Sequence, residues 1–192
     1  MKKGLFIGVM AMAMSAAPTF AGAQTKTTAT KTTTTKSTAT TSKASADHTF
    51  VKKAAEGGMA EVELGKLAAD KASSSEVKQF GQKMVDDHGK ANDQLKSLAQ
   101  TKNITLPTDL NAKDKALLDR LSKLSGPAFD RAYMQAMVTD HTKDVNEFKA
   151  ESKSGADPDV KSWAANTLPT LESHLKMAHD ANRAVGTSGV KK

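Results

Sequence analysis

Apolar residues recur at three- and four-residue intervals along most of the chain, which is the spacing of side chains on one face of an α-helix. Four long segments carry this pattern between residues 47 and 186, and none of them shows the strict alternation of a half-buried strand. The first segment extends from Asp47 to Lys71. The pattern therefore predicts an all-α domain over residues 47–186.

Capping signals predict where the other long helices begin and end. Residues 73–76 read Ser-Ser-Ser-Glu, a capping box that starts the second helix, and this helix is predicted to end near Lys102. Gly126 and Pro127 start the third helix, which Gly155 ends. An aspartate–proline pair at 157–158 starts the fourth helix, because aspartate caps a helix and proline fits its first position.

The connection between the second and third helices is much longer than the other connections. Within it, leucines recur at helical spacing over residues 110–124, which are predicted to form a shorter amphipathic helix. Four helices with one long crossover have the connectivity of ferritin-like proteins. The predicted fold is thus a ferritin-like four-helix bundle with a short extra helix in the helix 2–3 crossover.

Two adjacent glycines, Gly57 and Gly58, interrupt the first predicted helix. Each weakens a helix by about 1 kcal/mol relative to alanine. A glycine also lets another backbone or side chain come close, because it has no Cβ atom. We therefore expect a neighbouring helix to approach the first helix closely at this point.

The first 46 residues lack the helical pattern. Two lysines and a mostly apolar run over 5–17 are followed by Ala-Gly-Ala at 21–23, which together indicate a secretory signal peptide over residues 1–23. Residues 24–46 are almost all Thr, Lys, Ala and Ser, so burial cannot repay their ordering entropy and a disordered linker is predicted. Residues 187–192 are predicted to be a flexible tail. The protein is expected to be exported, most naturally to a bacterial periplasm, with secretion or outer-membrane association as alternatives.

The net charge of +7 comes mainly from these N-terminal residues. All 21 acidic residues lie from Asp47 onward together with 22 of the 28 basic ones, so the domain itself carries a charge of only +1. A basic tail on a near-neutral, exported domain argues against nucleic-acid binding. An envelope component or another protein is the expected partner. No segment after the signal peptide is apolar enough to span a membrane, and the absence of cysteine excludes disulfides and thiolate metal sites.

The block Met-Val-x-Asp-His occurs twice, at 84–88 and at 137–141. It places His88 and His141 on the core-facing sides of the second and third helices. The fourth helix offers His174 among leucines, and the first helix offers Glu61 on its apolar face and Glu63 close to it. Buried ionisable groups are costly when unpaired, so these five side chains are expected to pair with one another, with water or with a metal ion.

Two interpretations of these residues stay open at this point. Neutral imidazoles with a carboxylate suit a transition metal such as Fe, Zn, Cu, Mn or Ni. The alternative is a buried histidine–glutamate network that fixes the register of the helices. The di-iron chemistry of ferritins is not indicated, because its ligands come from Glu-x-x-His pairs and the residues three before the histidines are Val85, Val138 and Leu171.

The aspartates that precede the two repeated histidines point about 100° away from them around the helix. Asp87 and Asp140 are therefore expected to pair with Lys90 and Lys143 on the surface. Alternatively, they accept a hydrogen bond from a histidine of a neighbouring helix and orient it. Glu172, two residues before His174, is a third candidate for that orienting role.

Four stretches resemble the bacterial exported family named domain of unknown function four-one-four-two. They are AAEGGMAEVELGKLA at 54–68, VKQFGQKMVDDH at 77–88, LSGPAFDRAYMQAMVTDH at 124–141 and LPTLESHLKMA at 168–178. The resemblance implies a ferritin-like envelope bundle of unsettled biochemical role, often labelled an outer-membrane protein. The family's motif residues map to these positions: Glu61, Glu63, Asp87, His88, Asp140, His141 and His174.

These observations lead to three hypotheses about function. No complete catalytic constellation is present in the sequence, which favours a non-enzymatic bundle that binds a partner in the envelope or under stress. The second hypothesis is a metal-binding protein with a His/Glu site inside the bundle. The third is a metal-dependent oxidase or peroxidase on the same scaffold.

Overall fold

The computed structural model describes the backbone of residues 34–187 and the side chains of residues 45–186. The predicted signal peptide, the linker up to residue 33 and residues 188–192 lie outside this range. Within it the chain is all-α, and none of the described helices combines the length and the apolar character that a membrane span requires. The helices are α1 (Thr34–Lys71), α2 (Ser75–Thr101), α3 (Ala112–Ser122), α4 (Gly126–Ser154) and α5 (Pro158–Thr187).

The capping signals in the sequence lie at the observed helix ends. The Ser74 hydroxyl accepts a hydrogen bond from the Val77 N–H at the start of α2. Helix α4 begins at Gly126 with the adjacent proline in its first turn, and α5 begins at Pro158. The crossover carries the predicted extra helix α3, which Asn111 caps by accepting from the Asp114 N–H at 3.0 Å.

The start of α1 differs from the prediction. The sequence pattern places the first helix from Asp47 and a disordered linker before it, whereas the observed helix begins at Thr34. Residues 34–46 contain no Leu, Ile, Val or aromatic residue. Extending a helix that is already formed costs little, because each added residue gains one hydrogen bond, and this accounts for the longer helix.

The long helices form two antiparallel hairpins, α1 with α2 and α4 with α5. The hairpins meet along two looser seams, one between α2 and α5 and one between α1 and α4, and α3 contacts α1 and α4. The turn between α1 and α2 lies against the start of α4 through Asp130, so α2 and α4 run parallel. This arrangement requires the long crossover and confirms the ferritin-like bundle.

Two buried aspartates join the hairpins, each by capping the turn of the other hairpin. Asp130 of α4 accepts from the N–H groups of Ser73 and Ser74 at 3.0 and 2.9 Å. Asp47 of α1 accepts from the N–H groups of Ala156 and Asp157 at 3.0 and 2.6 Å. These bonds satisfy N–H groups that a helix start leaves without partners. They also fix the relative register of the hairpins, because each turn is held at one position along the other hairpin.

The apolar core is divided into two clusters by a polar layer. The cluster beside the α1–α2 turn contains Phe80, Phe129 and Tyr133, and the cluster beside the α4–α5 turn contains Phe50 and Phe148. On each long helix, one buried polar side chain lies between the residues of the two clusters. These side chains are Glu61, His88, His141 and His174.

Glycines allow α1 and α2 to pack closely, but at the glycine pair expected from the sequence only the Asn92 side chain approaches, and it approaches Gly58 alone. A Cβ atom added to Gly58 would lie 2.1 Å from the side-chain oxygen of Asn92 on α2, whereas one added to Gly57 would lie 4.0 Å from its nearest neighbour. The approach of the two backbones is at Gly65 and Gly81. A Cβ on Gly65 would lie 2.5 Å from the Gly81 carbonyl oxygen, and one on Gly81 would lie 2.8 Å from the Gly65 carbonyl oxygen.

We expect Gly81→Ala to destabilise the protein by about 1–3 kcal/mol, because the added methyl group forces two backbones apart. The matched control is Gly89→Ala on the same helix, where an added Cβ meets nothing within 4 Å. That change should instead stabilise the protein by about 0.5–1 kcal/mol through helix propensity. Urea unfolding measures both values, and a gain in stability for Gly81→Ala would contradict the close approach.

A second prediction concerns Glu151, whose buried carboxyl group is hydrogen-bonded to Asp47. Burial, followed by the negative charge of Asp47, raises the pKa of Glu151 from 4.5 to about 7. Between these pH values the folded state holds this proton more tightly than the unfolded state, so Glu151 costs the native protein stability as the pH rises.

Glu151→Gln replaces the titrating carboxyl group with an amide, which does not titrate and can still donate a hydrogen bond to Asp47. We expect the variant to gain stability relative to the native protein as the pH rises from 4.5 to 7. The gain should level off above pH 7 at about 1–2 kcal/mol, less than a full linkage value because the group lies near the surface. Urea unfolding at a series of pH values tests this, with Glu172→Gln on the exposed surface as the control. A stability difference that falls with rising pH would refute the assignment.

Candidate metal centre

One polar side chain from each long helix reaches the same layer of the core. The imidazole rings of His88 (α2), His141 (α4) and His174 (α5) are buried, as is the carboxylate of Glu61 (α1). The ring centroids of the three histidines are separated by 5.2–5.7 Å. One ring nitrogen of each histidine lies within 4.8 Å of a ring nitrogen of each of the other two.

Hydrogen bonds fix the tautomer of each of these rings. His88 Nδ1 lies 2.9 Å from Glu61 Oε2, and His141 Nδ1 lies 3.0 Å from the carbonyl oxygen of Met137. His174 Nε2 lies 2.9 Å from Asp87 Oδ2. A carbonyl oxygen or an ionised carboxylate only accepts hydrogen bonds, so His141 Nδ1 and His174 Nε2 carry protons, as does His88 Nδ1 while Glu61 is ionised.

The opposite nitrogen of each ring therefore holds a lone pair. These atoms are His88 Nε2, His141 Nε2 and His174 Nδ1, and all three are buried without a hydrogen-bond partner. Buried polar atoms in folded proteins are nearly always satisfied, since an unpaired one costs about 1–3 kcal/mol. Three unsatisfied acceptors in one layer are the pattern that a bound cation would complete.

The environment keeps the three imidazoles neutral. Burial lowers the pKa of His88 and of His174 to about 4. Burial also lowers the pKa of His141, although the nearby Glu61 carboxylate opposes that shift. Neutral imidazole is the form that binds a metal ion, so no proton competes for these nitrogens at neutral pH.

The carboxylate of Glu61 lies beside two of the histidines. Its Oε2 atom accepts from His88, while Oε1 lies 3.3 Å from His141 Nδ1, whose proton is directed to Met137. Oε1 is consequently buried without a hydrogen-bond partner. Burial raises the pKa of Glu61, and burial together with the Glu61 charge raises the pKa of Asp144 on α4.

Three residues that the sequence offered as site candidates lie outside this cluster. Glu63 pairs with Lys66 at 2.7 Å on the exposed side of α1. Asp140 lies 3.6 Å from Lys113 of α3, and Glu172 lies 3.9 Å from Lys149. Each of these carboxylates turns away from the core because it is one or two helix positions removed from a buried residue.

Asp87 has a different role from the one favoured by its sequence position. The expected surface partner was Lys90, but Asp87 pairs instead with Lys83 at 2.7 Å and accepts from His174 of α5. The second interpretation, that it orients a histidine of a neighbouring helix, describes the observed geometry. Lys83 and the His174 hydrogen bond lower the pKa of Asp87 against the opposing effect of burial, so it stays ionised.

Two groups close to the polar layer were not identified from the sequence, namely the Met137 carbonyl oxygen and the Asp144 carboxylate. The Met137 carbonyl gave no signal there, because any helical residue offers the same backbone oxygen. Asp144 did give one, since it lies three residues after His141 and so shares its helix face. This spacing identifies a carboxylate close to the site that the repeated blocks do not contain.

A cleft opens at each seam of the bundle beside the polar layer. The first, of about 200 Å³, lies between α1, α3 and α4 and is bordered by Glu61 and Asp144. The second, of about 590 Å³, lies between α2 and α5 and is bordered by Asp87 and His174. We call them the acidic cleft and the α2–α5 cleft.

Two solved structures share this fold with the chain. A protein described as "putative secreted protein DUF305" from Streptomyces coelicolor is 17% identical, with a TM-score of 0.63 over 73% of this chain and 92% of that one. A DUF305 fragment from Deinococcus radiodurans is 12% identical, with a TM-score of 0.63 over 73% of this chain and 95% of that one. At these identities the likeness establishes the shared helical fold alone.

None of the curated proteins compared with the chain is similar to it. A family model does match, and it extends over residues 29–181, which include all four polar side chains of the central layer. The match covers most of the chain and agrees with the resemblance found in its four sequence stretches. The protein therefore belongs to the family described as Domain of unknown function (DUF4142).

Proposed function

We propose that this protein binds one divalent transition-metal ion between His88, His141 and His174. The observation that carries the proposal is the set of three buried ring lone pairs without hydrogen-bond partners. Each of these rings donates its other nitrogen's proton to a carboxylate or a carbonyl oxygen, which is the usual support of a histidine that ligates a metal.

The donor set selects the class of ion. Neutral imidazole suits zinc, copper, nickel and iron, whereas magnesium and calcium prefer oxygen ligands. An ion bound at about 2.0–2.1 Å from three nitrogens brings them to within about 3.4 Å of one another. In the structure one ring nitrogen of each histidine already lies within 4.8 Å of those of the other two, so the three rings must move closer when the ion binds. We favour Zn²⁺ or Cu²⁺, because three histidines with one open position suit both ions.

A purely structural network explains the same residues less well. Such a network stabilises a core when every member is satisfied, and a partly satisfied network is worse than an apolar core. Here each histidine makes one good hydrogen bond and leaves its second nitrogen unpaired. Leucine or methionine in these positions would avoid that cost, so the histidines need another reason to be buried.

The proposed role of the protein is that of an exported metal-binding protein of the cell envelope. Export is supported by the signal peptide predicted over residues 1–23, and the periplasm is the compartment we propose. Three protein ligands leave one position of a tetrahedral ion open, on which an oxidase or peroxidase activity would depend if the ion were copper or iron. That activity stays a prediction.

Metal titration of the mature, untagged protein tests the proposal. After chelator treatment, we expect one Zn²⁺ or Cu²⁺ ion per chain by elemental analysis and a higher melting temperature. An ion at 100 times its dissociation constant stabilises the folded state by about 2.7 kcal/mol. His141→Ala should lose both the ion and the stabilisation.

The control for this experiment is His179→Ala, which removes an exposed histidine of α5 outside the cluster. It should bind the ion like the native protein. The proposal is wrong if the native protein binds no stoichiometric ion, or if His141→Ala binds it equally well. Apo stability is measured in parallel, because a variant that fails to fold would also fail to bind.

A further prediction concerns the support of His174 by Asp87. Asp87→Asn keeps the size of the side chain but weakens it as a hydrogen-bond acceptor. We expect a 10- to 100-fold loss of metal affinity, the usual effect of losing such a partner of a ligating histidine.

Asp86→Asn is the matched control for Asp87→Asn, since the adjacent Asp86 accepts from Gln82 on the exposed surface. It should leave the affinity unchanged. Competition with a coloured chelator measures both dissociation constants. Equal affinities for the two variants would show that the Asp87–His174 bond does not support metal binding.

A further inference from the structure

We infer that the acidic cleft is the entrance through which a divalent cation reaches the three histidines, with Asp144 and Glu61 as successive carboxylate contacts. This inference rests on the proposed metal site and deepens it. The histidines are buried, so an ion needs a route from solvent. The acidic cleft and the α2–α5 cleft are the two larger openings beside the polar layer, and a smaller cavity of about 20 Å³ borders His88, Glu61 and Asp144.

The charges of the two clefts differ in sign. Five carboxylates and three lysines border the acidic cleft, whereas one carboxylate and two lysines border the α2–α5 cleft. The single carboxylate of the α2–α5 cleft, Asp87, is already engaged by Lys83 and His174. With two more carboxylates than lysines, the acidic cleft has a formal negative excess and attracts a cation better than the α2–α5 cleft, although Lys143 lies 3.3 Å from Asp144.

Glu61 connects the acidic cleft to the histidines. It borders this cleft, it is 3% exposed, and its Oε1 atom has no hydrogen-bond partner. Its other oxygen accepts from His88, and Oε1 itself lies 3.3 Å from His141. A cation that reaches Glu61 therefore meets the Nδ1 sides of the His88 and His141 rings, and the lone pairs on Nε2 lie one ring width farther in.

The crossover and the glycine pair also border this route. Helix α3 contributes Asp114, whose carboxylate is held at 2.7 Å by the Asn111 amide that caps the helix. Gly57 borders the cleft beside Asp144, and a Cβ at this position would meet Asp144 Oδ2 only at 4.0 Å. The missing side chain at Gly57 leaves space for an ion and its water.

A side chain placed at Gly57 should therefore close the route without touching a ligand. Gly57→Leu is expected to slow the association and the dissociation of Cu²⁺ by a similar factor, about tenfold, and to leave the dissociation constant unchanged. A side chain that narrows the route lowers the association rate and the dissociation rate equally, because the ion enters and leaves by the same path. Damage to the histidine site would change the equilibrium instead.

Asp144→Asn provides a second, independent variant. At a pH above the raised pKa of Asp144, where its carboxylate is ionised, removing this charge should lower the association rate by about tenfold at low ionic strength and reduce its dependence on salt. Stopped-flow quenching of Trp163, the single tryptophan, follows Cu²⁺ entry into the apo protein, and chelator competition gives the dissociation constant.

Thr170→Leu is the control, because it fills the α2–α5 cleft in the same way. It should leave both rates as they are in the native protein. Slow exchange in Thr170→Leu with native rates in Gly57→Leu and Asp144→Asn would overturn the inference and place the entrance between α2 and α5. Native rates in all three variants would overturn it as well. Absence of stoichiometric Cu²⁺ in the native protein would instead refute the proposed function.

Discussion

Four ionisable side chains are buried in the middle of an apolar core, and the cost of removing them from water constrains the structure around them. In place of water, each histidine has one hydrogen-bond acceptor on a helix: a glutamate, a backbone carbonyl or an aspartate. These three bonds determine which nitrogen of each ring keeps its lone pair. The arrangement of the proposed metal site thus follows from the hydrogen bonds that surround it.

The register of the two hairpins decides whether the rings meet at all. A helix rises 1.5 Å per residue, so a shift of one turn would move a histidine by more than 5 Å out of the layer. Asp47 and Asp130 oppose such a shift, because each holds backbone N–H groups of the opposite hairpin's turn at a fixed depth. The two ends of the bundle therefore position the chemistry at its centre.

The two Met-Val-x-Asp-His blocks place their histidines alike but their aspartates in different contacts. They lie on α2 and α4, which run parallel, and α2 is the second helix of its hairpin whereas α4 is the first of the other. The blocks thus do not occupy equivalent positions of the two hairpins. They place His88 and His141 at one depth, but their aspartates differ: Asp87 orients His174, while Asp140 lies near Lys113.

Apart from the start of α1, the sequence by itself determined the helices, their capped ends, the crossover and the four side chains of the polar layer, because periodicity and capping depend on residues close together in the chain. The sequence did not determine which polar groups would accept hydrogen bonds from the histidines. Asp87 and Asp140 have the same local sequence relation to a histidine, yet only Asp87 meets another helix's histidine, because it faces α5 whereas Asp140 faces α3. Glu63 was also offered as a ligand, and the structure places it on the exposed side of α1 beside Lys66. Only the tertiary structure decided these points, because a hydrogen bond depends on the rotation and depth of two helices that are far apart in sequence.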